Sequence, residues 1–129
     1  MNGLPDRTYA VYLGLDVGKE HHHACALDPA GKRLHDKTLP QDEQRIRDLL
    51  TDLSVHGDVL VVVDQPASIG ALPVAVARSM NIQVAYLPGL AMRRIADLHP
   101  GNAKTDARDA YVIADAAVSY THLRAHETR

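Results

Sequence analysis

Lys104-Thr105-Asp106-Ala107-Arg108-Asp109-Ala110 is the stretch whose residue types and spacing could do chemistry. Thr105 is a good helix N-cap, and Asp106 then falls in the first turn, where a carboxylate suits the positive end of the helix dipole. Asp106 and Asp109 are three apart, so their carboxylates leave the same face, roughly 5–6 Å apart at Cβ. Paired carboxylates repel unless something positive lies between them, and a hard divalent cation prefers carboxylate oxygen. Taken alone, the stretch is also that of a capped helix with an acidic first turn facing water. Two further aspartates, Asp16 and Asp64, shift that balance, because each ends an apolar run. Four aspartates on one rim could hold two Mg²⁺ or Mn²⁺ ions roughly 3.5–4 Å apart, which clamp the attacking and leaving oxygens in phosphodiester cleavage. Lys19 and Lys104 lie near the acids in sequence and could meet a phosphate.

The elements that must position these residues follow from periodicity. Residues 9–16 read as a strand ending in Asp16, and Val17-Gly18-Lys19 as a turn. Residues 21–27 and 33–39 form a hairpin across Asp28-Pro29-Ala30-Gly31-Lys32, which is dense in turn formers. A helix starts at Gln41-Asp42-Glu43, and Ile46, Leu49, Leu50 and Leu53 follow the i, i+3, i+4, i+7 spacing of one apolar stripe. Val59-Leu60-Val61-Val62-Val63 is an unbroken aliphatic run, as in a strand covered on both faces. One helix is expected over 68–80, with Pro73 in its first turn. A short strand follows over 82–87, a helix over 90–98 and a last helix from Thr105 to about Ala117. The order β-β-β-α-β-α-β-α-α gives an α/β fold, a mixed sheet flanked by helices. In such sheets ligand sites lie beyond the carboxyl ends of the parallel strands. Asp16 and Asp64 occupy such ends, and the last helix would bring Asp106 and Asp109 to them.

Composition narrows the class. At 129 residues and 46% hydrophobic, the chain is one domain with a core. No apolar run approaches the roughly 20 residues that span a bilayer, so no membrane association is expected. The polar first residues lack a signal peptide's apolar segment, which predicts a cytoplasmic protein. One cysteine, Cys25, excludes an internal disulfide and reads as a small buried hydrophobe. A net charge of −2 is not that of a free-standing nucleic-acid binder. Nucleic-acid contact would therefore use a local patch, such as Arg93-Arg94 with Arg78, a metal ion or another domain.

Four stretches together resemble the N-terminal domain of the DEDD transposases of bacterial insertion sequences. They are Leu13-Gly14-Leu15-Asp16-Val17-Gly18-Lys19, Val63-Asp64-Gln65-Pro66, the run from Tyr86 through Leu87-Pro88-Gly89-Leu90-Ala91-Met92 to Arg93-Arg94, and Lys104-Thr105-Asp106-Ala107-Arg108-Asp109-Ala110. The resemblance covers about residues 9–117. It implies a ribonuclease H-like (RuvC-like) fold, like that of Holliday-junction resolvases. It also implies a catalytic and metal-binding set of Asp16, Asp64, Asp106 and Asp109, loaded with Mg²⁺ or Mn²⁺. Asp64 stands where the family more often has Glu, one methylene longer. Lys19, Arg93, Arg94, Lys104 and Arg108 are the candidate nucleic-acid contacts. The resemblance further implies DNA and a guide (bridge) RNA as partners, a homo-oligomer in the full-length protein, and a C-terminal domain with a nucleophilic serine. That domain is absent from this sequence, so the chain reads as a fragment, not expected to be active alone.

Residues 118–129 depart from the family pattern and lack apolar periodicity. They resemble a translated sequencing-adaptor read-through rather than genuine coding sequence, and the expectation is an unstructured tail. His21-His22-His23 invites a metal reading, but neighbours on a strand point to opposite faces, so a solvated strand start is expected. Two rival functions remain at this point. Leu13-Gly14-Leu15-Asp16-Val17-Gly18 also resembles the first phosphate loop of actin-like ATPases and sugar kinases, although Gln65-Pro66 replaces the glycine turn those need after Asp64. The other rival is a non-catalytic module that binds RNA or another protomer.

Overall fold

The computed structural model describes residues 9–88 and 106–127, with the side chains of the last helix described over 109–119. Its strands are β1 (Val11–Asp16), β2 (His21–Leu27), β3 (Arg33–Pro40), β4 (Val59–Val63) and β5 (Gln83–Tyr86). The helices are α1 (Glu43–Ser54), α2 (Leu72–Ser79) and α3 (Asp106–Glu127). The sheet runs β3-β2-β1-β4-β5. β1, β2 and β3 form an antiparallel meander, and β4 and β5 add to β1 in parallel. This is the mixed α/β sheet that the strand patterns predict.

The apolar stripe of α1 buries Ile46, Leu49, Leu50 and Leu53, and Asp42 caps the helix by accepting a bond from the Gln44 amide at 3.0 Å. Alternation along the strands then sorts the core. Val11, Leu13, Leu15, Val59, Val61 and Val63 pack under α1 and α2, and Val74, Val76 and Ala77 complete that layer. Tyr12, Leu60, Val62 and Ala85 face the other way, against Val112, Ile113, Ala116 and Ala117 of α3.

Three expectations need correction. The single helix over 68–80 is split into a 3₁₀ turn, Pro66–Gly70, and α2, because extended backbone at Ala71 interrupts it; Pro73 does sit in the first turn of α2. The last helix does not stop near Ala117, and its backbone is helical to Glu127. No Pro or Gly follows Gly101 to end it, and half-buried Val118 still packs on the core. The solvated histidine run is wrong for two of its three members. His21 is exposed, but His22 is buried and His23 is half-buried. The expected helix over 90–98 lies outside the described residues, as does the Thr105 cap.

Candidate metal centre

Asp16 is the last residue of β1, and Asp64 follows directly on β4. The parallel register runs Val11↔Val59 to Gly14↔Val62, and two residues further on it brings Asp16 level with Asp64. Adjacent strands are about 4.8 Å apart, so the two carboxylates start from neighbouring positions. Parity decides their direction. Asp16 shares the side of Tyr12 and Gly14, and Asp64 continues the side of Leu60 and Val62, so both face the α3 layer.

Helix α3 comes to this corner through a glycine. A Cβ on Gly14 would lie 2.4 Å from the Ala110 carbonyl oxygen and 2.6 Å from the Ala114 nitrogen. Only a residue without a side chain lets the helix backbone rest on the strand there. Ala110 and Ala114 are themselves small and fully buried, next to Cys25 and Leu27. Asp109 directly precedes Ala110, the residue at this contact. Asp109 is half-buried, and its Oδ1 is shielded from solvent. Asp106 opens the same helix one turn earlier. Its side chain, like that of Arg108, lies outside the described residues, as do Arg93, Arg94 and Lys104 altogether. Lys19 is exposed on the turn after Asp16, and Arg78 is exposed in the last turn of α2.

A polar chain borders this corner that the sequence does not reveal. His23 opposes Asp16 in the β1–β2 ladder. Its Nε2 bonds Asp36 Oδ1 at 2.6 Å, while Arg33 holds the other carboxylate oxygen at 3.1 Å. Arg33 also lies over the Tyr111 ring of α3, 4.6 Å from its centroid. Burial, with the Asp36 charge adding to it and Arg33 opposing it, pushes the nearby Cys25 thiol up to about 12. The only sequence signals were an alternation of polar residues on β2 and β3, which a solvent-facing hairpin would share.

The donor chemistry suits a hard divalent cation, since every acid at this corner offers oxygen. Among the described residues, no three His, Cys, Asp or Glu side chains are grouped closely enough to hold a metal. Asp16 and Asp64 end neighbouring strands and Asp109 lies on the helix that crosses β1 at Gly14, but these described residues do not form a closed cage. The phosphate turn that an ATPase would need after β4 does not form, because Gln65 leads into the 3₁₀ turn. No described helix is long and apolar enough to cross a membrane.

Comparison with known proteins agrees with this architecture. The family model of the IS110-type DEDD transposases, described as a transposase, matches residues 13–129. The insertion element IS110 uncharacterized 43.6 kDa protein of Streptomyces coelicolor is 64% identical over 113 residues, covering 87% of this chain and 28% of that protein. The IS116 44.8 kDa protein of Streptomyces clavuligerus is 34% identical over 107 residues, covering 83% of this chain and 27% of its own length. The IS900 42 kDa protein of Mycobacterium paratuberculosis is 32% identical over 110 residues, covering 83% and 28%. This chain thus spans little more than a quarter of these relatives. Among solved structures, the yeast mitochondrial Holliday junction resolvase Ydc2 superposes with a TM-score of 0.56 at 12% identity, covering 95% of this chain and 83% of that one. That likeness establishes the fold as RuvC-like, of the ribonuclease H type. The fold, the motif pattern and the family match converge: the chain belongs to the IS110-type DEDD transposases of bacterial insertion sequences.

Proposed function

We propose that this chain is the metal-dependent N-terminal catalytic domain of an insertion-sequence transposase, acting on DNA phosphodiesters in transposition and site-specific recombination. The observation that carries it is the Gly14 contact, which seats the Asp109 turn of α3 against the strand that ends in Asp16. Asp16, Asp64, Asp106 and Asp109 would hold Mg²⁺ or Mn²⁺. Bound there, the ions supply positive charge that stabilises the attacking and leaving oxygens. The chain's own contribution is placement. Asp16 ends β1 and Asp64 follows the neighbouring β4, and α3 would bring its acids to them. Lys19 lies beside Asp16 on an exposed turn, where it can meet a DNA phosphate. Asp64 is one methylene shorter than the Glu usual at its place, so its carboxylate must be reached by the cation rather than reach out for it. Arg93, Arg94, Lys104 and Arg108 are proposed as further nucleic-acid contacts. A guide RNA, a homo-oligomer and a serine-bearing domain are proposed to complete the full-length machine.

Binding a ligand only in the folded state stabilises it by RT ln(1 + [L]/Kd), about 2.7 kcal/mol at 100 times Kd. Mn²⁺ or Mg²⁺ should accordingly raise the melting temperature, and Asp16→Ala, Asp106→Ala and Asp109→Ala should each remove most of that rise. Asp115→Asn, further along α3, should keep it. A wild-type melting curve unmoved by millimolar Mn²⁺ would show that these residues do not form a metal site in this chain.

A further inference from the structure

The three consecutive histidines have three different fates. His21 faces water, and His23 is tied to Asp36. His22 is 1% exposed, on the side of β2 that carries Ala24 and Ala26 under α1. Two contacts define its ring. The Gly18 backbone N–H donates to Nδ1 at 3.1 Å, and Nε2 meets Gln41 Oε1. A backbone amide can only donate, so Nδ1 carries the lone pair and Nε2 the proton, which it gives to Gln41. A single neutral tautomer is selected by two segments that are distant from each other in sequence.

The segment latched in this way is the turn that leaves Asp16. Gly18 sits so close to β2 that a Cβ would lie 2.4 Å from the His21 carbonyl oxygen. Asp16 is paired with His23 on one side, and two residues later the chain is gripped by His22. Lys19 follows at once. A carboxylate at a strand end holds a cation well only if the chain beyond it is also fixed, because groups behind the ligands set their orientation.

We infer that His22 is a positioning residue for the acid corner: by accepting the Gly18 amide it fixes the turn that aims Asp16 and carries Lys19. This rests on the four-aspartate reading. Three variants separate the latch from simple stability. In His22→Asn, the amide oxygen lies near the place of Nδ1 and can accept from Gly18, but it cannot reach Gln41. In His22→Gln, the longer amide reaches Gln41 and not Gly18. His22→Leu makes neither bond. All three disturb a buried site, so all three should melt lower than wild type. Mn²⁺ affinity, read by electron paramagnetic resonance on the folded chain, should fall about tenfold in His22→Gln and His22→Leu and stay within about twofold in His22→Asn. On wild type, two-bond ¹H–¹⁵N spectra should show the Nε2–H tautomer, and the Gly18 amide should shift on adding Mg²⁺. Equal affinity in all three variants, affinity that follows melting temperature instead of the Gly18 bond, or an Nδ1–H tautomer would each overturn the inference while leaving the metal site standing. Absence of Mn²⁺ binding in wild type would overturn the four-aspartate reading, and this one with it.

Discussion

The two faces of the sheet are built from the same strands on opposite rules. Under α1 and α2, branched side chains from β1 and β4 meet Ile46, Leu49, Leu50, Leu53, Val74 and Val76. Under α3, at the middle of β1 and β2, Gly14 and Cys25 meet Ala110 and Ala114, and the contact is partly backbone on backbone. The first face gains stability from volume. At that point the second gives up volume for proximity, with Gly14 letting the helix backbone rest on the strand. Because successive strand residues alternate sides, a slip of one residue would exchange the two sets. Stability and candidate chemistry are thus divided by parity within the same strands.

Volume changes should break this comparison most sharply. Leu50→Ala, on the first face, should cost about 2–5 kcal/mol by leaving a cavity. Urea unfolding measures it, and Mn²⁺ affinity of the folded molecules should not change. Gly14→Ala, on the second face, should cost about 1–3 kcal/mol by the opposite route, since the added methyl meets backbone that cannot move aside alone. It should also lift α3, which a thiol reports. Cys25, buried and held near 12, should resist iodoacetamide in wild type and react measurably faster in Gly14→Ala. If Gly14→Ala were neutral and Cys25 stayed silent, the close approach would not be what holds α3.

A smaller effect sharpens the first face. His35 opposes Ala26 on the α1 side, where burial first and the Lys37 charge second hold its pKa below the usual 6.5; the His23 charge acts in the same direction, while Asp36 and Asp52 oppose it. The folded state therefore prefers the neutral ring. That contribution is fully present above the ordinary histidine range and is lost as pH falls through the lowered folded value. His35→Gln should flatten the acid side of the stability profile. The smallest effect concerns neither face. The described packing of α3 ends at Val118, and the sequence beyond it has no apolar stripe. Truncation after Ser119 should shift stability by no more than about 0.5 kcal/mol in a thermal melt.

Much of this arrangement was legible in the sequence because period-2 and period-3.6 patterns report burial directly. The β1 and β4 runs, the α1 stripe and the strand-end positions of Asp16 and Asp64 were all of this kind. The facing direction of those aspartates follows once the partners of Leu13 and Val61 are known, and that is a tertiary fact. His22 was illegible because its burial depends on Gly18 and Gln41, brought together only by the hairpin and the β3–α1 junction. The break at Ala71 was hidden because Pro66 and Pro73 are each compatible with a helix start. The length of α3 is not legible because residues beyond Ala117 carry no apolar stripe, while no Pro or Gly there stops the helix before Glu127.

The Gly14–Ala110 contact joins segments far apart in the sequence, and this has a consequence for the order of folding. Every described partner on the α1 side is available once β5 has been synthesised, whereas α3 is made later and must return to β1. Closing so long a loop is entropically costly, and distant contacts of this kind slow folding. A nascent chain can therefore hold a sheet sealed on one side while its other side, with Cys25 and the acid corner, still waits for its cover.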